Sequence, residues 1–280
     1  MSRPDFSIIT PSFNMLKYLK RCHASVADQR GVEVEHIVMD GGSKDGTKGW
    51  LTENLQATGF SEKDNGMYDA ANKGFQKAQG SLLAYLNCDE QYLPNTLRSV
   101  ADVFQKHSDV DIVFGNVLLV RPDGTLIAFR KIYQPYWPLI ATSFLYVFSC
   151  AMFFRRSILE NGFRFDTQFR DVGDLDFVVR LLRNGFKATC INQYLATYTI
   201  TGNNMGLQKN AVEEGIKYFQ RMPLGIRLMK YPLNIARILV KGISGAYFER
   251  PPLRYSIYPD QSLSTRRDFV ANNPSFKWQA

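Results

Sequence analysis

The chain has 280 residues, 45% of them hydrophobic and 21% charged, enough to bury one large core, either as a single domain or as a domain with a tail. Its four cysteines (Cys22, Cys88, Cys150 and Cys190) lie far apart with no C-x-x-C pair, which indicates neither a disulfide framework nor a zinc site and makes a reducing compartment the simplest home. The net charge of +8 sits in the tail: residues 205–280 hold 12 Lys/Arg against 5 Asp/Glu, and residues 1–204 hold 22 against 21.

From the N-terminus, Met1 runs into a strand at Phe6 with no apolar leader, so no signal peptide is expected. Phe6 to Thr10 reads as the first strand. The turn Pro11-Ser12-Phe13-Asn14 leads to a helix over about Leu16 to Ala27. A second strand, Val34 to Met39, ends at Asp40-Gly41-Gly42-Ser43-Lys44-Asp45-Gly46, whose glycines let the backbone approach a ligand closely. A helix follows, then a short strand near Thr58 to Ser61 and a helix over Met67 to Ala78.

The apolar run Leu82 to Leu86 reads as a buried strand, and Asn87, Asp89 and Glu90 follow it directly. In open α/β sheets the C-terminal edge of the strands is where ligands bind. Oxygen donors there suit Mg²⁺ or Mn²⁺ carrying a substrate diphosphate, because neither ion needs a complete protein cage.

Asn95 to Lys106 reads as a helix and Asp111 to Phe114 as a strand. Val117 to Val120 and Leu126 to Phe129 flank the turn Arg121 to Thr125 as a hairpin, and Cys150 to Phe154 is a further strand. The uncharged stretch Gln134 to Phe154 approaches the length of a membrane span, but Pro135, Pro138, Thr142, Ser143 and Ser149 fit a buried loop and strand better. Asp174 to Asn184 is a helix with acids at its start, Arg180 and Arg183 near its end, and Gly185 just past it. His23, His36 and His107 form no ligand cluster and read as structural.

In the tail, Arg227, Lys230, Arg237 and Lys241 recur at helical spacing, with Leu228, Met229, Ile235, Ala236, Leu239 and Val240 largely opposite. Two readings stay open: a helix lying on an anionic membrane surface, or an ordinary amphipathic helix packed on the domain with a solvated basic side. Pro232 is expected to kink or interrupt it, and Pro251-Pro252 to begin an irregular tail. Aromatics alternate with arginines there, but no nucleic-acid module accompanies them, so no nucleic-acid partner is expected.

The order of these pieces resembles the family 2 glycosyltransferases. The segments that carry the resemblance are FSIITPSFN (6–14), IVMDGGSKDGT (37–47), and the tract from Asp64 to Glu90 with its Y-D-A-A-N-K-G and L-N-C-D-E runs. The resemblance covers residues 6–200 and implies a GT-A fold, a mostly parallel Rossmann-like sheet flanked by helices. The catalytic domain is then residues 1–204, with 205–280 a basic, helical C-terminal extension. It also implies inverting, metal-assisted transfer of a sugar from a nucleoside-diphosphate donor to a hydroxyl of a glycan or lipid-linked acceptor. A cytoplasmic location is expected, peripheral on the membrane if the tail binds there.

By the same resemblance Thr10, Pro11, Asn14, Asp40, Asp64, Asp69, Asn87 and Cys88 line the donor site, and Asp89 and Glu90 hold Mn²⁺ or Mg²⁺. Asp89 carries most of that contact, with Glu90 helping through water. Asp69 has an open second reading, a helix surface charge pairing with Lys73. Two positions depart from the family pattern: Asn87 opens the acidic motif in place of Asp, and Gly41 stands where many relatives have a second Asp. In FRFDTQFRDVGDLDF (163–177), Asp174 falls on the general-base position, against the alternative that Asp171, Asp174 and Asp176 only complement a helix dipole. A nucleotidyltransferase, disfavoured by the lack of a Gly-rich basic phosphate loop, and a degenerate membrane-associated binding protein are the competing functions.

Overall fold

The computed structural model describes residues 3–54, 56–202, 204, 206, 208–259 and 265–278. Its strands are β1 (Phe6–Ser12), β2 (Val34–Asp40), β3 (Thr58–Ser61), β4 (Leu82–Tyr85), β5 (Glu90–Tyr92), β6 (Ile112–Val120), β7 (Leu126–Arg130), β8 (Met152–Arg155), β9 (Ala188–Thr199), β10 (Leu253–Ile257) and β11 (Arg267–Ala271). The helices are α1 (Leu16–Ala27), α2 (Thr47–Glu53), α3 (Met67–Lys77), α4 (Thr96–Lys106), α5 (Trp137–Ala141), α6 (Ser157–Glu160), α7 (Gly173–Arg183), α8 (Lys209–Gln220), α9 (Leu224–Leu228) and α10 (Lys230–Ile243).

The main sheet runs β3-β2-β1-β4-β8-β6-β9-β5, with β7 on β6. β1 pairs in parallel with β2 and β4, and β6 in parallel with β9, whereas β8, β7 and β5 run antiparallel to their neighbours. This is the expected α/β, GT-A-type sheet with most strands running one way. Continuous β-branched and aromatic runs buried on both faces, such as Ile8, Ile9, Val38 and Tyr85, are what a sheet covered by helices requires. One face packs against α3, α5 and α7 through residues such as Phe75, Phe154, Phe165 and Phe177; the other packs against α1 and α4 through Cys22, Val26, Leu97 and Phe104. In register, Ser12 of β1 lies beside Asp40 of β2, and Ile9 beside Tyr85 of β4, so three strands end at one edge.

Several elements differ from the sequence expectation. The two strands expected at Asp111 to Phe114 and Val117 to Val120 are one nine-residue strand, whose register against β9 shifts around Gly115 and Asn116. A Cβ on Gly115 would lie 2.2 Å from Leu195 Cδ1, so only glycine lets β9 cross there. Strand β9, half polar in pattern, and the three-residue β5 carried no clear signal. At Cys150 the chain makes a 3₁₀ turn before β8 begins at Met152.

In the tail the break falls at Met229, between α9 and α10. Pro232 sits in the first turn of α10, where its missing N–H costs no helical bond. Beyond Pro251-Pro252 the chain is not irregular: β10 and β11 form an antiparallel ribbon whose Leu253, Tyr255 and Ile257 pack on Leu118, Val120 and Phe129. Arg266 clamps the ribbon to α1 through two bonds to Asp28, Nε–Oδ2 2.6 Å and Nη2–Oδ1 2.7 Å. The expected faces of α10 are also reversed. Arg237 and Lys241 turn inward, over the rings of Phe144 (4.7 Å) and Tyr247 (4.5 Å), while Ile235, Leu239 and Val240 face outward. Cation–π contact and buried aliphatic stems make that inward placement tolerable. Among the described residues no helix is long and apolar enough to cross a membrane.

Candidate active site

At the strand edge, three loops are knitted together by short polar bonds. Asn14, at φ 52°, donates its backbone N–H to Ser43 Oγ (2.7 Å) and accepts from Lys44 N–H at Oδ1 (2.8 Å). Asp45 accepts from Leu16 N–H (2.8 Å) and from the Thr47 hydroxyl (2.6 Å). The loop can turn this tightly because Gly42 and Gly46 hold φ values of 86° and 94°.

Asp40, 1% exposed, accepts from the Ser61 hydroxyl (2.6 Å) and the Ser43 N–H, so it braces the loop from behind. Asp64 sits half-buried, with Oδ1 accepting from Gly66 N–H at 2.9 Å. Its other oxygen accounts for Gly41: a Cβ there would fall 2.7 Å from Asp64 Oδ2 and 3.3 Å from Phe13 Cδ2. The acid that many relatives were expected to carry at position 41 has its space taken by Asp64.

Asp69 pairs with Lys73 (3.2 Å) and accepts from Asn65 N–H (2.9 Å), while Lys73 Nζ also donates to Lys63 carbonyl O. The helix pairing is therefore present, and it ties α3 to the loop bearing Asp64. Two side chains do not take the place expected of them. Thr10 is fully buried with Oγ1 2.9 Å from His36 Nε2 and facing Cys22, on the α1 side of the sheet. Cys88 is buried among Leu19, Val38 and Leu51, with Sγ 3.6 Å from Met15 Sδ. Strand alternation sets Thr10, because in β1 one residue's shift in phase turns a side chain to the opposite face, whereas Cys88 lies in the turn between β4 and β5. Pro11 is buried at the end of β1 beside Met39.

After β4 the chain turns sharply. Asn87 N–H donates to Glu90 Oε2 (2.7 Å), and Tyr85 OH donates to Asn87 Oδ1 (2.7 Å). Asp89 is half-buried with Oδ2 3.3 Å from Asn204 Nδ2. Burial pushes the Asp89 carboxyl up to about 6, against the pull of the buried Arg21 guanidinium nearby. Glu90 is 1% exposed, and burial, then the neighbouring Asp89 charge, raise it to about 8. Glu90 Oε1 is a buried oxygen with no hydrogen-bond partner among the described residues.

Asp174 opens α7. Its Oδ1 lies 2.8 Å from Leu175 N and 3.3 Å from Tyr68 OH, and burial raises its carboxyl to about 6. The loop before it is held by α8: Glu214 accepts from the N–H groups of Arg170 (3.0 Å), Asp171 (2.9 Å) and Val172 (3.3 Å). Asp176, by contrast, pairs with Arg180 at 2.7 Å. The Tyr85 phenol is held protonated by burial and by the nearby Tyr68, Glu90 and Asp174. One low-dielectric site thus contains Asp89, Glu90 and Asp174, with Tyr68 and Tyr85 between them. Tyr68 was within reach of sequence reading, since it stands inside the Y-D-A run; Arg21, Asn204 and Glu214 carried no local signal.

The chain is similar to known glycosyltransferases. The chain is 28% identical over 261 residues to a PGL/p-HBAD biosynthesis glycosyltransferase of Mycobacterium bovis, covering 86% of this chain and 96% of that one. It is 27% identical over 217 residues to the putative teichuronic acid biosynthesis glycosyltransferase TuaG of Bacillus subtilis, covering 74% and 83%. In fold it is similar to S. aureus TarS 1-349 in complex with UDP-GlcNAc, at TM-score 0.61 and 17% identity over 85% of this chain and 72% of that one. It is likewise similar to the mannosyltransferase PcManGT of Pyrobaculum calidifontis in complex with GDP-Man and Mn²⁺, at TM-score 0.59 and 15% identity over 90% and 78%. The family described as "Glycosyl transferase family 2" matches residues 7–163, more than half of the chain, and this protein is a glycosyltransferase belonging to that family.

Proposed function

We propose that this enzyme transfers a sugar from a nucleoside diphosphate to a hydroxyl of a glycan or lipid-linked acceptor, with inversion at the anomeric carbon and Asp174 as general base. The observation that carries this reading is the shared burial of Asp174 with the Asn87–Glu90 turn, across Tyr68 and Tyr85. The two ends of an in-line displacement need separate services, one at the leaving group and one at the nucleophile, and both fit in this site.

Asp174 is suited to the nucleophile end. Held near 6, it is ionised at neutral pH yet basic enough to take a proton from an attacking hydroxyl. Tyr68 and the Leu175 N–H fix its orientation.

At the leaving-group end the donor set is all oxygen and sparse. Among the described residues there is no group of three or more His, Cys, Asp or Glu that could hold an ion alone. Asp89 and the buried, unpartnered Glu90 Oε1 fit an ion that brings most of its ligands on a diphosphate. Mn²⁺ or Mg²⁺ there would neutralise charge developing on the departing diphosphate. Donor binding falls to the loops around Pro11, Asn14, Asp40, Asp64 and Asp69, whose mutual bonds keep backbone groups in place before the nucleotide arrives. Cys88 and Thr10 contribute from behind, as packing.

Calorimetric titration of UDP, GDP, CDP and dTDP, with and without Mn²⁺, tests the reading. One nucleoside diphosphate binding with metal dependence, lost in Asp89→Ala, is the expected result. No binding of any of the four sinks it, and an α-to-α or β-to-β product by NMR sinks the inverting step alone.

A further inference from the structure

Helix α10 is built the wrong way out for a helix whose partner is its own domain. Its half-buried side carries Asn234, which donates to Thr142 carbonyl O at 3.0 Å, together with Arg237 and Lys241 on aromatic rings. Its exposed side, continued by α9, is apolar. Leu228, Tyr231, Ile235, Leu239 and Ile243 are all at least 60% exposed, and Ile243 reaches 88%. Their spacing of 3 or 4 residues makes one stripe along the outside of the pair. Phe248, 74% exposed, lies just past its end. A contiguous apolar stripe of this kind on a protein surface marks an interface.

The charge around the stripe says what covers it. From Gly215 to Phe248 the sequence has six cations (Lys217, Arg221, Arg227, Lys230, Arg237 and Lys241) and no Asp or Glu. Arg227 and Lys230, in the helices that carry the N-terminal part of the stripe, are exposed, as are Lys217 and Arg221 at the end of α8. A second copy seated symmetrically on this face would bring like charges together, because a two-fold contact places the same patch on both sides. An anionic lipid surface neutralises them while taking up the apolar side chains. The 14 residues of α10 span about 21 Å, short of the roughly 30 Å of a bilayer's hydrocarbon core, so the helix lies in the plane of the interface.

We propose that the outer face of α9–α10 is an in-plane membrane anchor that inserts Leu228, Tyr231, Ile235, Leu239 and Ile243 into the headgroup–acyl boundary of an anionic lipid surface. The anchor does not depend on the sugar-transfer reading, since neither Asp89 nor Asp174 takes part. Its geometry leaves α8 between the membrane helices and the loop that Glu214 holds.

The test is flotation of the full chain with vesicles of phosphatidylcholine alone or mixed equally with phosphatidylglycerol, over a NaCl series. The expected result is binding to the mixed vesicles that weakens with salt, at least tenfold lower binding for a Leu228→Glu, Ile235→Glu, Ile243→Glu triple variant, and a several-fold loss with a shallower salt dependence for Arg227→Gln, Lys230→Gln. The substituted side chains face outward, so a circular dichroism melt close to the wild type is expected. Should the triple variant nevertheless fail to fold, Tyr231→Trp replaces it: its emission should shift to the blue with mixed vesicles and be quenched by brominated lipid. No flotation of the wild type, equal flotation with both vesicle types, or a Tyr231→Trp variant whose added indole is not quenched overturns the proposal. So does a wild-type dimer in solution that the triple variant converts to monomer without any vesicle binding.

Discussion

The phenol of Tyr68 lies 3.3 Å from Asp174 Oδ1 and accepts the N–H of the same residue at 3.2 Å, joining the Y-D-A run of α3 to the first turn of α7 across 106 positions of sequence. Burial raises Asp174, and the Tyr68 bond works against that rise by favouring the charged form. Tyr68→Phe should therefore move the acidic limb of the kcat/KM profile upward from about 6 and lower the rate at pH 7 by about tenfold, from the typical worth of a hydrogen bond to a charged group. A purely structural role for Tyr68 would lower activity without moving the limb.

For Asp174 itself, the active form of a base is the carboxylate. Activity should rise as pH passes through about 6 and then level off. Asp174→Asn should remove that limb and lower kcat by about 10²–10⁴-fold, with nucleotide affinity by calorimetry nearly unchanged. Loss of nucleotide binding in this variant would place Asp174 with the donor instead.

Glu90 gives a pH prediction of the opposite kind. Its folded value, about 8, lies above the ordinary 4.5. Its stability contribution is therefore fully present below about 4.5 and is lost as pH rises through about 8. In metal-free protein, Glu90→Gln keeps an acceptor for Asn87 N–H and removes the ionisation. The variant should melt increasingly above the wild type between pH 5 and 8.5; parallel melting curves would show that Glu90 is charged throughout.

At Gly41 a new Cβ would meet Asp64 Oδ2 at 2.7 Å. Gly41→Asp should displace Asp64 and weaken nucleotide binding by about tenfold or more, roughly 1.4 kcal/mol, without unfolding the sheet. Unchanged affinity in a calorimetric titration would remove Asp64 from the donor site.

Glu214 reaches from α8 to three successive N–H groups before α7. Burial raises its carboxyl, but those bonds outweigh burial and leave it below the ordinary value. Glu214→Ala should cost about 1–2 kcal/mol of stability, as losing a helix cap does, and lower kcat more than it raises KM. An effect on KM alone would separate this loop from the base.

The order of strand and helix through the first half was legible because a covered sheet demands apolar runs between glycine-marked turns, and Phe6 to Lys106 supplies both. Strand β9 was not, because its partners β6 and β5 come from far away and cover a pattern that is half polar along its own length. In the site, Asp89 and Asp174 stand out by motif. Thr10 and Cys88 share those motifs, yet their side chains face the packed side of the sheet.

By itself the sequence determined the fold class, the strand edge that carries the acids, and the basic character of the tail, since each follows from local composition and periodicity. The tertiary structure alone decided which groups meet. It set Tyr68 on Asp174, Glu214 under the loop before α7, Asp64 in the space beside Gly41, and Arg237 and Lys241 on the inner side of α10. The reason is distance along the chain. Contacts such as these, most of them between residues 23 or more positions apart, and the burial that shifts a carboxyl from its ordinary value, exist only once the layers have packed.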